Sequence, residues 1–362
     1  MSTLRDLPAI PVFDIRAGGP ARYAIEARER SRALRDGCLT FLPPPARLLL
    51  PLLDRLTRQW LGRSRSPYVA EIETIAAELG FSGIWFLNGC YEWGCTAAAR
   101  DEDGAPWLAR TLDWPFHGLG RRLEIARMRG AAGEFLNVTW PGYVGTLTAT
   151  APGRFTAAIN QAPLYRRTRR PWLRPLDIAV NAVRTWPLDF RPPDHLLREV
   201  FESCDDFAAA RRRLETTPVA RPVIYTLVGC RRGERCVIER TEQGFVSRAD
   251  DTTAANDWQH SAGPWEARVP SNVLWTRPWA EAAARSRARS GALAAWPQPF
   301  ARGDFAWVMP PVLNHFTRLA VEMCPARATL RAVGYELAPG GELPQPVAQM
   351  CEPAVGLASV PA

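Results

Sequence analysis

The strongest chemical signal in the sequence is a thiol, Cys95, followed by a cation and a carboxylate, Arg110 and Asp113. A thiol becomes a strong nucleophile when a base takes its proton or a nearby cation stabilises the thiolate. Arginine supplies such a charge, and aspartate can hydrogen bond to an amine and fix its position. These residue types predict acyl transfer through a thioester on Cys95. On spacing alone, Cys95 could equally be one more buried cysteine in a chain that has 8.

The segment that carries these residues predicts a β-hairpin. Small residues after Cys95 lead into an acidic turn at 101–104, and a second apolar run continues to Trp114. Antiparallel pairing would place Arg110 and Asp113 beside Cys95. The alternative for Arg110 and Asp113 is an exposed ion pair on a strand, which contributes about 0–1 kcal/mol.

The hairpin resembles the start of the catalytic chain in N-terminal-nucleophile hydrolases of the choloylglycine hydrolase and acid ceramidase family. In that family Cys-Thr opens the first strand, and Arg-x-x-Asp-aromatic closes the hairpin. The matching residues here are Cys95-Thr96 and Arg110-Thr-Leu-Asp113-Trp114. Segments 86–92, 142–148 and 152–160 resemble, in the same order, the acid ceramidase branch and its relative N-acylethanolamine acid amidase.

The resemblance implies an α+β fold, the four-layer αββα sandwich with two stacked, mainly antiparallel sheets. It also implies self-cleavage between Gly94 and Cys95, which would free the Cys95 α-amine as the base. Such an amine has a pKa of about 7.7–8.0 and can exchange a proton near neutral pH. Residues 1–94 would be an N-terminal helical segment packed on a catalytic domain at 95–362, and the two chains would remain associated.

The resemblance extends to other site residues. It implies that Asn256 donates to the oxyanion and that Arg268 is a second catalytic arginine, although the family's arginine doublet is here Ala267-Arg268. The alternative for Asn256 is an ordinary turn residue. Some relatives have glutamate at Gln161, so maturation is expected to depend less on acid. The residues expected to bind substrate are Trp114, Tyr143, Asn160 and Gln161.

The expected reaction is hydrolysis of a linear amide in an N-acyl lipid of the ceramide or N-acylethanolamine type. A bile-salt or penicillin-type amide is the alternative substrate, and a non-catalytic lipid-binding homologue is the alternative class. No cofactor, metal or histidine triad is expected. A four-cysteine metal site at Cys90, Cys95, Cys230 and Cys236 is disfavoured, because its gaps exceed the usual two-residue zinc spacing.

Residues 46–61 predict a helix with a leucine-rich face between basic residues. Packing on the core is one interpretation, and contact with a membrane or micelle is the other. Upstream of the hairpin, Ile84–Leu87 predicts a strand. About 25 residues at the end are expected to form a tail.

Composition excludes some classes of function. The net charge of +8 comes mainly from arginine, but no nucleic-acid-binding motif accompanies it. The hydrophobic content of 47% is ample for a core. The sequence has no run of about eighteen apolar residues and no signal-peptide pattern at its start. The protein is therefore expected to be cytoplasmic, with membrane association through 46–61 as an option.

Overall fold

Two stacked β-sheets form the centre of the molecule. The computed structural model describes residues 7–40, 43–90, 93–167, 170–250, 252–260, 263–267, 279–300 and 304–350. The strands are β1 (Val12–Asp14), β2 (Gly94–Glu102), β3 (Ala105–Asp113), β4 (Glu124–Gly130), β5 (Gly133–Thr139), β6 (Thr148–Ala151), β7 (Phe155–Gln161), β8 (Leu164–Tyr165), β9 (Val223–Val228), β10 (Arg235–Arg240), β11 (Phe245–Arg248), β12 (Thr253–Ala254), β13 (Trp265–Glu266), β14 (Thr317–Cys324), β15 (Thr329–Glu336) and β16 (Gln345–Met350).

One sheet has eight strands in the order β1-β4-β5-β6-β7-β9-β10-β11, and the other has six in the order β12-β2-β3-β14-β15-β16. A two-stranded ribbon pairs β8 with β13. The two large sheets meet where β2 and β3 contact β7 and β9. The pairings are antiparallel apart from β1 with β4, so the prediction of two mainly antiparallel sheets is confirmed.

Helices form the outer layers. They are α1 (Gly19–Glu26), α2 (Arg28–Leu39), α3 (Pro44–Arg47), α4 (Leu50–Arg63), α5 (Val69–Leu79), α6 (Ile84–Gly89), α7 (Arg174–Thr185), α8 (Pro193–Ser203), α9 (Phe207–Thr216) and α10 (Trp279–Ala294). Helices α8 and α9 pack on the eight-stranded sheet, and α10 packs on the six-stranded sheet. These layers give the predicted αββα sandwich. No helix in the described part of the chain is long and apolar enough to cross a bilayer.

The hairpin forms as the sequence predicts. Cys95 is opposite Leu112 and Ala97 is opposite Arg110 in the β2–β3 register. The turn is at Asp103 and Gly104, which have φ of 50° and 84°. Positive φ at both central residues is what a type I′ hairpin turn requires, and Asp-Gly adopts it readily. Local turn chemistry therefore fixes the register of the two strands that carry the site.

Two local predictions near the hairpin and the end of the chain are wrong. Residues 84–87 form the start of α6 instead of a strand, because Asp54 on α4 accepts hydrogen bonds from the backbone N–H groups of Gly83 and Phe86 at 2.6 and 2.8 Å. This carboxylate satisfies donors that a helix start leaves free. The first part of the expected terminal tail instead contains β16, which pairs with β15, and the rest of it, 351–362, lies outside the described residues.

The segment upstream of Cys95 is built into the sandwich rather than only packed against it. Strand β1 pairs in parallel with β4 and forms an edge of the eight-stranded sheet. Buried Asn88 donates to the Gly142 carbonyl at 2.9 Å and accepts from the Val144 N–H at 2.8 Å. Arg198 on α8 reaches Glu71 on α5 at 2.5 Å. Residues 7–90 are thus tied to the sheets by backbone pairing and by buried polar contacts.

Replacing Asn88 by alanine is expected to lower the free energy of unfolding by about 2 kcal/mol, since it leaves the buried Gly142 carbonyl and Val144 N–H without their partner. Urea unfolding monitored by circular dichroism measures this. Gln59→Ala, at an exposed position on α4, is the control and should change stability little. A change at Asn88 no larger than the control's would contradict this role.

Candidate functional site

Cys95 lies near the start of β2, and its side chain is fully buried between the two sheets. One nitrogen of the Arg110 guanidinium, Nη2, lies 2.8 Å from the Cys95 Sγ. The cross-strand register produces this contact, because Cys95 and Ala97 share one face of β2 and Arg110 is opposite Ala97. The structure therefore brings the predicted thiol and cation into direct contact.

Arg110 also joins the two sheets. From β3 in the six-stranded sheet it donates to the Leu147 carbonyl at 3.0 Å and the Ile159 carbonyl at 3.1 Å, and to the Thr148 hydroxyl. These acceptors lie on or beside β6 and β7 in the other sheet. They are neutral, so the thiol is the only member of this described contact set that can acquire a negative charge.

Burial raises the pKa of the Cys95 thiol to about 11, despite the opposing effect of Arg110. Removing a charge from water costs more here than one guanidinium returns. The thiol of the uncut chain is consequently protonated at neutral pH. A base close to the sulfur would accelerate a reaction at Cys95.

The Cys95 nitrogen is held by Asn256, which follows β12 at the other edge of β2. The backbone N–H donates to Asn256 Oδ1 at 2.8 Å, and Asn256 Nδ2 donates to the Gln161 carbonyl at 2.8 Å. The expected role of Asn256 was donation to an oxyanion. In the intact chain its oxygen instead accepts from the Cys95 N–H, and the Gln161 carbonyl uses one of the two N–H donors of its amide.

Asp113 lies on the side of β3 that faces α10. Its carboxylate accepts from Thr317 Oγ1 at 2.9 Å, from Asn314 Nδ2 at 2.7 Å and from Arg289 Nη1 at 2.8 Å. Gly94, the residue opposite Asp113, leaves little room between them. A Cβ at Gly94 would lie 3.3 Å from the Asp113 Cβ and 3.5 Å from Asn256 Oδ1. Glycine at this position therefore allows the aspartate and the asparagine to approach the Gly94–Cys95 bond.

Arg289 is a site residue that sequence reasoning missed. It lies on α10 and donates through Nη1 to Asp113 and through Nη2 to Asn256 Oδ1, both at 2.8 Å. The arginine expected near the site was Arg268, which lies outside the described residues. The available signal for Arg289 was the group of arginines in the segment that forms α10, but no spacing rule marks which of them points inward.

The four residues expected to bind substrate lie in different surroundings. Asn160 donates to the carbonyls of Ala254 and Ala255 at 3.2 Å, just before Asn256. The Gln161 carbonyl accepts from Asn256. The Trp114 ring packs edge-on against Trp93 and Trp140. Tyr143 instead donates to Asp194 on α8 at 2.7 Å, so its hydroxyl serves a contact away from the Cys95 hydrogen bonds.

A serine, a histidine and an aspartate meet elsewhere. Ser66 Oγ lies 2.7 Å from Nδ1 of fully buried His195, but Nε2 of His195 is 3.8 Å from Asp194, beyond hydrogen-bonding range. Ser66 Oγ also accepts from the Tyr68 N–H, just before α5. Burial lowers the pKa of His195. These contacts join α5 to α8 and have the geometry of a packed turn rather than of a catalytic triad.

An apolar cavity lies between the upstream helices and the hairpin. It reaches Trp114, the residue after Asp113, and its lining is mostly aliphatic and aromatic. The lining includes Leu34, Leu39, Leu50, Leu87, Trp114 and Phe116. Both sides of the Gly94–Cys95 junction contribute to this cavity, so it depends on the upstream segment staying in place.

Comparisons with known proteins agree with the hairpin motif. No family model matches the chain. A segment of 186 residues is 30% identical to the N-acylethanolamine-hydrolyzing acid amidase of Oryctolagus cuniculus and covers 49% of this chain and 49% of that protein. A segment of 221 residues is 26% identical to the acid ceramidase of Bos taurus and covers 54% of this chain and 53% of that protein. The matches thus span about half the length of these relatives.

Among solved structures, a Caenorhabditis elegans N-acylethanolamine-hydrolyzing acid amidase ortholog is 16% identical, with a TM-score of 0.46, and the match covers 64% of this chain and 93% of that chain. The sequence matches are to the two kinds of protein that the hairpin resembles. About half of the chain is therefore similar in sequence to N-acylethanolamine acid amidases and acid ceramidases.

Proposed function

We propose that the chain hydrolyses the amide bond of an N-acyl lipid through a thioester on Cys95. The contacts at Cys95 support this most directly. Arg110 lies 2.8 Å from the sulfur, and Asn256 lies 2.8 Å from the nitrogen of the same residue. An amine that serves as base to its own thiol needs its nitrogen held in place and its thiolate stabilised.

The first step is self-cleavage between Gly94 and Cys95. The Cys95 sulfur attacks the Gly94 carbonyl carbon, a C–S bond replaces the C–N bond, and the nitrogen gains a proton to become a free amine. Water then hydrolyses the thioester, giving a Gly94 carboxylate and the free thiol. The amine is unavailable as a base before this step, because an amide nitrogen does not accept a proton near neutral pH.

Substrate hydrolysis follows the same chemistry. The Cys95 amine takes the thiol proton, the thiolate attacks the lipid carbonyl, and the protonated amine returns a proton to the leaving nitrogen. Arg110 stabilises the thiolate, and Asn256 becomes available to donate to the tetrahedral oxygen. Water then releases the fatty acid and restores the thiol.

The apolar cavity supports an acyl chain as part of the substrate. Its leucines and Phe116 offer surface suited to methylene groups, each of which contributes about 0.8 kcal/mol when buried. The matched relatives are named for the hydrolysis of N-acylethanolamines and for ceramide hydrolysis. Both names refer to amides that join a fatty acyl chain to an amino alcohol.

Helices α3 and α4 support contact with a lipid surface. Leu48 and Leu52 are 81% and 51% exposed, and Leu49 and Leu56 are exposed as well. Only Leu50, Trp60 and Leu61 of α4 are buried. Packing on the core thus accounts for one side of this segment, and we propose that the exposed leucines insert into lipid headgroups beside basic residues.

Self-cleavage predicts two fragments in denatured wild-type protein, the larger beginning at Cys95. Intact mass spectrometry measures this, and Cys95→Ala should remain a single chain. Because the buried thiol has a raised pKa, cleavage should accelerate as the pH rises from about 5 to about 8. An active wild-type protein that stays full length would overturn this step.

The activity itself is tested by the fatty or organic acid released from ceramide, an N-acylethanolamine, taurocholate and penicillin V. Release from the first two is expected, and Cys95→Ala should abolish it. Asn256→Ala should lower turnover about 10²–10³-fold, since one oxyanion donor is lost. Release only from taurocholate or penicillin V would replace the lipid substrate, and no release with intact self-cleavage would favour a binding protein.

Lipid contact predicts that Leu48→Gln with Leu52→Gln weakens binding to anionic vesicles without lowering thermal stability, because both side chains are exposed. Co-sedimentation with phosphatidylserine vesicles measures binding, and added salt should weaken it by screening the arginines. Val12→Gln, at an exposed valine on β1, is the control. If vesicle binding survives the double substitution, this surface does not contact lipid.

A further inference from the structure

Arg289 joins the outer helical layer to the nitrogen of the nucleophile. Its side chain is 12% exposed, and its guanidinium forms a fork between Asp113 Oδ2 and Asn256 Oδ1, each at 2.8 Å. The Cys95 N–H donates to the same Asn256 oxygen. We propose that Arg289 is a positioning residue that orients Asn256 and Asp113 around the Cys95 nitrogen and keeps the mature α-amine unprotonated near neutral pH. The part concerning the amine rests on the proposed function.

The orientation of Asn256 follows from its two donors. Arg289 Nη2 and the Cys95 N–H both point at Oδ1, so a flipped carboxamide would place its NH2 group against two other donors. The present orientation directs Nδ2 to the Gln161 carbonyl at 2.8 Å. Arg289 therefore reinforces the orientation in which the carboxamide oxygen faces the Cys95 nitrogen. Lysine could keep the charge but could not form the same two-pronged contact.

Several charged groups lie around the Cys95 nitrogen. Arg289 approaches from α10, and Arg110 and Asp113 approach from β3. Asp257, the residue after Asn256, pairs with Arg287 at 3.3 Å. The Asp113 carboxylate would favour a protonated amine, whereas a neighbouring guanidinium disfavours it. Arg289 contacts this carboxylate and donates to the same Asn256 oxygen as the Cys95 nitrogen. Its positive charge therefore offsets the effect by which Asp113 would favour a protonated amine.

A role limited to packing α10 makes a different prediction. Loss of packing would lower stability and the amount of active protein, but it would leave the pH at which the remaining protein becomes active unchanged. Loss of the charge raises the pKa of the amine, so the acid limb of the kcat/KM profile must move to higher pH. The position of that limb separates the two explanations.

The experiment compares Arg289→Gln, Arg289→Lys and the control Arg287→Gln, which alters an exposed ion pair on the same helix. The acid limb should move up by about one pH unit in Arg289→Gln and stay within a few tenths in Arg287→Gln. Arg289→Lys should keep the wild-type limb but lose about tenfold in kcat. An unshifted limb in Arg289→Gln, or an equal shift in Arg287→Gln, overturns the proposal.

Two further measurements keep the outcome interpretable. If Arg289→Gln does not fold by circular dichroism, full wild-type kcat in Arg289→Lys overturns the positioning role. If the wild type cuts itself but hydrolyses none of the four amides, the lipid substrate is wrong while Arg289 remains testable. In that case the pH midpoint of self-cleavage is followed by mass spectrometry, and it should also move up in Arg289→Gln because the thiolate loses a nearby cation. An unchanged midpoint there overturns the role of its charge.

Discussion

A guanidinium buried between two sheets is the interaction on which the site depends. Arg110 crosses from β3 to carbonyl and hydroxyl groups on the opposite sheet, and its remaining described partner is the Cys95 sulfur. A buried charge with only neutral acceptors is costly. Loss of the Cys95 proton would therefore stabilise the buried Arg110 guanidinium, because it would place a negative charge beside it. The burial that raises the thiol pKa and the cation that lowers it both result from this position.

The structure places the sulfur and the nitrogen of Cys95 in two separate environments. The sulfur faces the interior between the sheets, where Arg110 lies. The nitrogen faces three polar side chains from different parts of the chain. They are Asp113 at the end of β3, Asn256 in the loop after β12 and Arg289 on α10. Arg110 contacts the sulfur directly, whereas Asp113 and Arg289 lie close enough to influence the thiol as well as the nitrogen. A helix in the outer layer thus contributes to a site that the sequence marks mainly by its hairpin.

The parts of the site that depend on contacts between residues close in sequence could be predicted from the sequence. The Asp103-Gly104 turn fixed the hairpin, and the hairpin fixed the contact of Arg110 with Cys95. Tertiary contacts determined the rest: Asp54, thirty residues upstream, converts an apolar strand-like run into α6, and Arg289 reaches the site only because α10 packs on β2. Tyr143 belonged to a segment that resembles the family, yet its hydroxyl is used by Asp194. Motif spacing cannot identify such partners, since they depend on elements far apart in the chain.

The edge strand β1 gives the proposed cleavage a thermodynamic consequence. Residues 12–14 complete a sheet whose other seven strands follow Cys95, so a cut at that residue leaves one sheet shared by two polypeptides. Unfolding is then also a dissociation, and its midpoint depends on protein concentration. Refolding likewise changes from closure of a tethered loop to a bimolecular encounter. The cleaved protein would therefore stay folded because its two chains dissociate slowly. Only the intact chain would fold into this structure readily.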